Sequence, residues 1–187
     1  DSSIIAILPV NTKPLVQLTD KRKNDFLLHL TTLYNDIMQE NPSSTKIYAT
    51  QLDSPLEEKE SQLLGMACAT CMGECCSLGK EHAFQDTTSL TFFLNGQYKT
   101  LELSEVIQLY SQFFPNQSYE NSCIFHGNMG CTLPSELRSF TCKNYRCQPL
   151  RNYHQELIKN KHELTIAAAA KEKNINKISI FNEEDFI

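Results

Sequence analysis

Two cysteines stand side by side at Cys75 and Cys76, and that adjacency constrains the chain more than any other feature of its sequence. They close a tight group, Cys68-Ala-Thr-Cys71-Met-Gly-Glu-Cys75-Cys76, and a second group follows about fifty residues on, at Cys123, Cys131, Cys142 and Cys147. Neighbouring Cα atoms lie about 3.8 Å apart, and the side chains of neighbours diverge in helix and strand alike. Both sulfurs on one compact tetrahedral ion would be strained. The expectation is that Cys75 and Cys76 serve different ions, or that one of them bridges two metals. The two groups then interleave into one joint eight-cysteine centre.

Four ligands suit a structural zinc and a common iron–sulfur cluster, so two sets of four match metal stoichiometry. An even count also permits four disulfides, and unrelated buried thiols are the third alternative. Eight cysteines in 187 residues fall well below the density of small disulfide scaffolds. A reducing cytosol would keep them free. The Cys-x-x-Cys spacing also places two sulfurs on one side of a tight turn, where one ion takes both. Metal is favoured on these grounds, with Gly73 supplying the positive φ that a chain turning around an ion needs. Thiolate softness does not choose between zinc and iron, the latter with or without sulfide.

Cys68 to Cys76 fits Cys-x-x-Cys-x-Gly-x-Cys-Cys at every fixed position and resembles the YkgJ-type zinc- or iron-chelating domain family. The second group is similar to that family's second half through Cys123-Ile124-Phe125, Gly130-Cys131, Arg138, and Cys142 to Cys147 with its four-residue gap. The likeness covers roughly residues 66 to 148. It departs where an aromatic gives way around Pro134, where Ser139 replaces a proline and where Lys143 replaces an arginine. The Cys131–Cys142 interval is also one residue longer. The resemblance implies chelation by all eight cysteines and supplies no reaction, since related motifs also occur in flagellin lysine methylases.

The chain length predicts one domain over residues 1 to 187, with 66 to 148 as its cysteine-rich metal-binding core. Net charge is −5, and eight thiolates with two divalent ions would take it to about −9. That balance argues against non-specific nucleic-acid binding. The longest apolar run, Ile4 to Val10, is broken by Pro9 and lacks the flanks of a signal peptide. A cytoplasmic protein is expected, with no membrane or nucleic-acid partner. Its partners are metal ions and an unidentified protein.

The fold expected is α+β and mostly helical, with short hairpins and irregular loops organised by a cysteine-ligated metal centre. Apolar residues from Phe26 to Met38 recur at helical spacing and predict a helix from about Asp20 to Glu40. Ser54-Pro55-Leu56-Glu57 reads as a capping box for a second helix running toward Gly65. Asn95-Gly96 between Thr91–Leu94 and Tyr98–Leu103 reads as a β-hairpin. A helix is expected over Ser104–Phe114, and one or two helical turns over Pro134–Phe140. A long helix is expected from Pro149 to about Lys173, with Ala167 to Ala170 as good helix formers.

Among other candidates, His126 lies three residues past Cys123 and reads as an exposed turn histidine more readily than as a ligand. His29, His82, His154 and His162 have weaker claims. Lys143, Arg146, Arg151, Lys159 and Lys161 make the one basic stretch, with Lys143 and Arg146 as candidates for hydrogen bonding to sulfur. No nucleophile elbow, phosphate loop, metalloprotease motif or dinucleotide fingerprint is present. The function expected is therefore zinc or iron binding in a structural or partner-binding role. An iron–sulfur redox or sulfur-handling enzyme, or a metal-transfer protein, is the alternative.

Overall fold

A computed structural model describes residues 3–39, 57–96, 101–159 and 164–182. The described residues form an α+β fold. In chain order its elements are β1 (Ser3–Leu8), β2 (Leu15–Gln17), α1 (Asp20–Gln39), α2 (Glu58–Thr70), α3 (Thr87–Asn95) and α4 (Leu103–Ser111). These are followed by β3 (Gln117–Tyr119), β4 (His126–Gly127), β5 (Gly130–Cys131), α5 (Phe140–Asn144), α6 (Gln148–Lys159), β6 (Leu164–Lys171) and β7 (Asn174–Phe181). No helix among the described residues is long and apolar enough to cross a membrane.

The chain divides into two compact units. The first comprises Asp1–Thr12, Gln51–Cys75 and Arg146–Ile187, and the second comprises Lys13–Thr50 and Cys76–Tyr145.

In the first unit, three strands lie in the order β1-β6-β7, with β1 parallel and β7 antiparallel to the central β6. Helices α2 and α6 pack against the sheet. Its core joins Ile4, Ala6 and Leu8 of β1 to Leu63, Leu64 and Ala67 of α2, Leu150 and Tyr153 of α6, and Ala167 and Phe181 of the sheet. Small side chains at Ala6, Ala67, Ala167 and Ala169 leave room for helices to approach the strands closely. Inside that core the Tyr153 hydroxyl and Thr165 Oγ1 hydrogen-bond at 2.9 Å.

In the second unit, α1 buries Phe26, Leu30, Leu33, Tyr34 and Ile37, the stripe that helical periodicity predicts. An aromatic cluster forms the centre. Phe26 meets Phe125 edge-on at 4.9 Å, Phe114 stacks on Phe125 at 5.3 Å, and Tyr110 lies 5.7 Å from Phe26. The Tyr110 hydroxyl donates to the Leu137 carbonyl, which also accepts from Gln85 Nε2 at 2.8 Å.

Two sequence expectations are overturned. Thr91–Leu94 is not a hairpin arm but part of α3, whose N-cap Asp86 accepts the Ser89 N–H at 2.7 Å. Leu90, Phe93 and Leu94 then fall on one buried helical face, which outweighs the β-propensity of threonine and phenylalanine. The Asn95-Gly96 pair ends this helix and does not turn a hairpin. The long helix expected from Pro149 stops at Lys159, and Ala167–Ala170 lies in β6. Packing overrides propensity here, because Ala167 and Ala169 are fully buried in the central strand of a sheet that helices cover. Helix α2, expected to run toward Gly65, continues to Thr70, while residues 54 to 56 of its expected capping box lie outside the described residues.

Candidate metal centres

The boundary between the units falls between Cys75 and Cys76. It leaves Cys68, Cys71, Cys75 and Cys147 in the first unit, and Cys76, Cys123, Cys131 and Cys142 in the second. Each unit thus takes cysteines from both sequence groups. None of the eight forms a disulfide.

In the first unit, α2 carries Cys68 on its last turn and ends at Cys71, whose N–H donates to the Cys68 carbonyl at 3.1 Å. Met72 (φ 55°) and Gly73 (φ 72°) then turn the chain through two successive left-handed residues. Glycine adopts that conformation without strain, whereas methionine does so only under constraint. The turn aims backbone N–H groups at sulfur, with Glu74 N–H reaching Cys71 Sγ at 3.4 Å. The Asn11 N–H secures the same turn by donating to the Cys71 carbonyl at 3.0 Å. Cys147 immediately precedes α6, and its carbonyl accepts the Arg151 N–H at 3.0 Å.

Burial first, and then the charges of Cys75, Cys71 and Cys147, push the Cys68 thiol up to about 12. The residue is exposed by surface area, so water screens part of this effect at its sulfur. Cys71 is also raised, by burial first and then by Cys75 and Cys147, while the N–H groups of Glu74 and Gly73 pull the other way. These four sulfurs are electrostatic neighbours.

A 3₁₀ turn over Glu74–Leu78 holds Cys76, the first residue of this stretch in the second unit, whose carbonyl accepts from Gly79 N–H at 3.0 Å and Cys123 N–H at 2.9 Å. Gly79 is needed for closeness. A Cβ there would sit 2.9 Å from the Phe84 ring and 3.0 Å from Cys123 Cβ. Cys123 is held by its successors, because Ile124 and Phe125 are fully buried in the aromatic core. Cys131 lies on β5, opposite His126 of β4 in a short antiparallel pair turned by Gly130 at φ 103°. Cys142 sits on α5, which Ser139 caps by accepting the Cys142 N–H at 3.1 Å.

Burial pushes the Cys123 thiol up to about 12, with Cys131 and Cys142 adding to the shift. The Phe125 N–H and the positive charge of Arg22 oppose it. Arg22 is held in place by Glu81 at 2.8 Å, by the Ser118 hydroxyl at 2.7 Å and by the Ser122 carbonyl. Sequence reasoning missed Arg22, which lies on α1 a hundred residues before Cys123 and has no local signal pointing to the sulfur. It missed Gly79 as well, although a glycine so soon after paired cysteines was a usable hint.

His126 is not the exposed turn histidine expected. It is buried, with Nδ1 2.8 Å from the Ser122 hydroxyl and its ring 4.6 Å from that of Tyr119. Lys143 directs its ammonium to the Glu136 carbonyl at 3.4 Å, and burial lowers its pKa. Lys161 and His162 lie outside the described residues. His154 Nε2 lies 3.5 Å from Glu60 Oε2 in the first unit.

Among the described residues, no three His, Cys, Asp or Glu side chains form a group close enough to hold a metal ion. The charge coupling among the sulfurs extends over longer range than ligation, so it establishes proximity and not a closed tetrahedron. The fit therefore rests on the donor set. Four thiols in each unit match the soft ligation of zinc or iron. No family model, curated protein or solved structure matches this chain.

Proposed function

We propose that this protein binds metal in two separate sets of four thiolates. One set is Cys68, Cys71, Cys75 and Cys147; the other is Cys76, Cys123, Cys131 and Cys142. The observation that carries this reading is the division of the chain between Cys75 and Cys76, which leaves four cysteines in each unit. It favours two centres over the single joint centre expected from sequence, and it agrees with the geometric argument that neighbouring sulfurs diverge. The resemblance to YkgJ-type chelating domains supports the same ligands. Zinc or iron, the latter with or without sulfide, suits such a set. Complete thiolate ligation leaves no coordination position for substrate, so the ions serve to order loops and to shape a surface for a protein partner.

Anaerobic purification, elemental analysis and a visible spectrum test the proposal. Two ions per chain are expected, colourless for zinc and brown with acid-labile sulfide for an iron–sulfur centre of redox function. Cys75→Ser and Cys76→Ser should each release one ion and keep the other. Loss of both ions from either variant would restore a bridging cysteine, and a metal-free wild type would end the reading.

One observation favours a second role. Each set contains one exposed cysteine, Cys68 in the first and Cys142 in the second. An exposed ligand gives a competing chelator a point of attack, as metal transfer requires. Exchange with a moderate chelator in seconds, without unfolding, supports transfer; exchange only on unfolding supports a structural role.

A further inference from the structure

The sheet of the first unit has two apolar faces. Alternation places Ile4, Ala6 and Leu8 of β1 toward the helices and Ile5 and Ile7 on the opposite side. The register carries that opposite face across the sheet: Ile5 pairs with Ile166, Ile7 with Ala168, and these in turn with Ile180 and Ile178. A bulge after Ala169 keeps Ile175 on the same side, paired with Ala170. Among the described residues, no charged side chain belongs to this face from Ile5 to Ile180. Yet Ile5, Ile7, Ile175, Ile178 and Ile180 are each between 54% and 67% exposed.

Soluble chains seldom leave such a surface open. At roughly 100 Å² for each isoleucine the patch reaches about 500 Å², the scale that marks an interaction site. Parallel strand pairs such as β1 and β6 are also normally covered on both faces. A single unpaired isoleucine would need no explanation, but five on one uncharged face do.

We propose that this face is the contact surface of a homodimer. Shape argues for a second copy as the occupant. Isoleucines on the two edge strands form ridges, and Ala168 and Ala170 of β6 form a short trough between them, closed at one end by Ile166. Under two-fold symmetry the β7 ridge of each copy seats in the alanine trough of the other, so the surface complements itself. Two sheets pack in this way about 10 Å apart, with strands inclined by about 30°. Covering both patches removes about 1,000 Å², the lower bound for a specific interface. The absence of charge on the face leaves no ion pair to desolvate on association. This inference stands whether or not the cysteines bind metal.

Sedimentation equilibrium of the full chain, from micromolar to hundreds of micromolar, tests it. A monomer–dimer equilibrium is expected. Ile178→Lys places two ammonium groups inside the symmetric contact and should weaken the dimer at least about a hundredfold. Ile5→Lys, on the other edge strand, should do the same. Ile158→Lys, at an exposed position near the end of α6, adds the same charge elsewhere and should leave the equilibrium unchanged. Circular dichroism with a thermal melt confirms that each variant is folded, as expected for substitutions at exposed positions. A wild type that stays monomeric throughout would overturn the proposal and assign the face to a different occupant. So would a dimer that survives both lysines, or one that Ile158→Lys weakens equally.

Discussion

The two cysteine sets share a burial plan and differ in what holds them. Each has one buried cysteine (Cys71, Cys123), one exposed (Cys68, Cys142) and two of intermediate burial. In the first unit the sulfurs are supported by backbone, through a helix end and a left-handed turn whose N–H groups face Cys71. In the second, Cys123 is anchored by the fully buried Ile124 and Phe125 and lies within the field of Arg22. Two equal sets of thiols therefore rest on unequal apolar support. The larger share of fully buried bulk, including Tyr110, Phe26, Phe125, Leu30 and Leu90, is in the second unit.

Metal removal should separate the two most strongly. A structural thiolate ion contributes about 10–16 kcal/mol to the folding of small domains, comparable to the whole stability of a unit this size. After chelation, amide hydrogen exchange should show α2 and the turn through Cys75 exchanging at nearly unprotected rates. Helices α1 and α4 of the second unit should retain protection, because an aromatic core does not depend on the ion. Equal loss in both units would refute the contrast.

A smaller effect is expected from Arg22→Ala. It strips partners from Glu81, Ser118 and Ser122, at about 2–3 kcal/mol, and removes the cation that favours the Cys123 thiolate. Titration of each ion with a competing chelator should show about tenfold weaker binding in the second set and no change in the first. Arg22→Lys should recover the charge and lose the forked hydrogen bonds, leaving an intermediate affinity. Gly79→Ala comes next, at about 1–3 kcal/mol from forcing a methyl against Phe84 and Cys123. Differential scanning calorimetry should register it as a lower melting temperature of the second unit's transition.

What could be read from sequence follows the range of the forces involved. Helix α1 was legible because its stripe is local and long, and Gly73 because its turn lies within one motif. The fall of Cys75 and Cys76 into different units agrees with the divergence that covalent geometry gives neighbours. Strand β6 was hidden, since four alanines signal a helix until a sheet partner and two covering helices make small size their decisive property. Helix α3 was hidden by short apolar runs that suit either period, and only the Asp86 cap decides between them. The supports of the second set were least visible. Arg22 and the burial of His126 arise from contacts among distant segments, which leave no local pattern.

The response to pH, small over the range from pH 6 to 10, distinguishes thiols from thiolates in both sets. Without metal, burial holds Cys68 and Cys123 up to about 12, against an ordinary value of 9.0 in the unfolded chain. A raised folded value means that the native state keeps its proton longer. The stabilisation is complete below pH 9 and is lost as pH rises toward 12. Over that window it falls by at most about 1.4 kcal/mol per pH unit for the buried Cys123 thiol. Cys68 contributes less, because its sulfur is screened by water. With metal bound the sign reverses, since ligation requires the thiolate and protons compete with the ion, so stability is lost as pH falls. Urea unfolding midpoints measured from pH 6 to 10, with and without chelator, should therefore slope in opposite directions. Cys123→Ser should flatten the alkaline limb of the metal-free protein more than Cys68→Ser does. Parallel slopes with and without chelator would mean that the sulfurs are not the groups to which the ion binds.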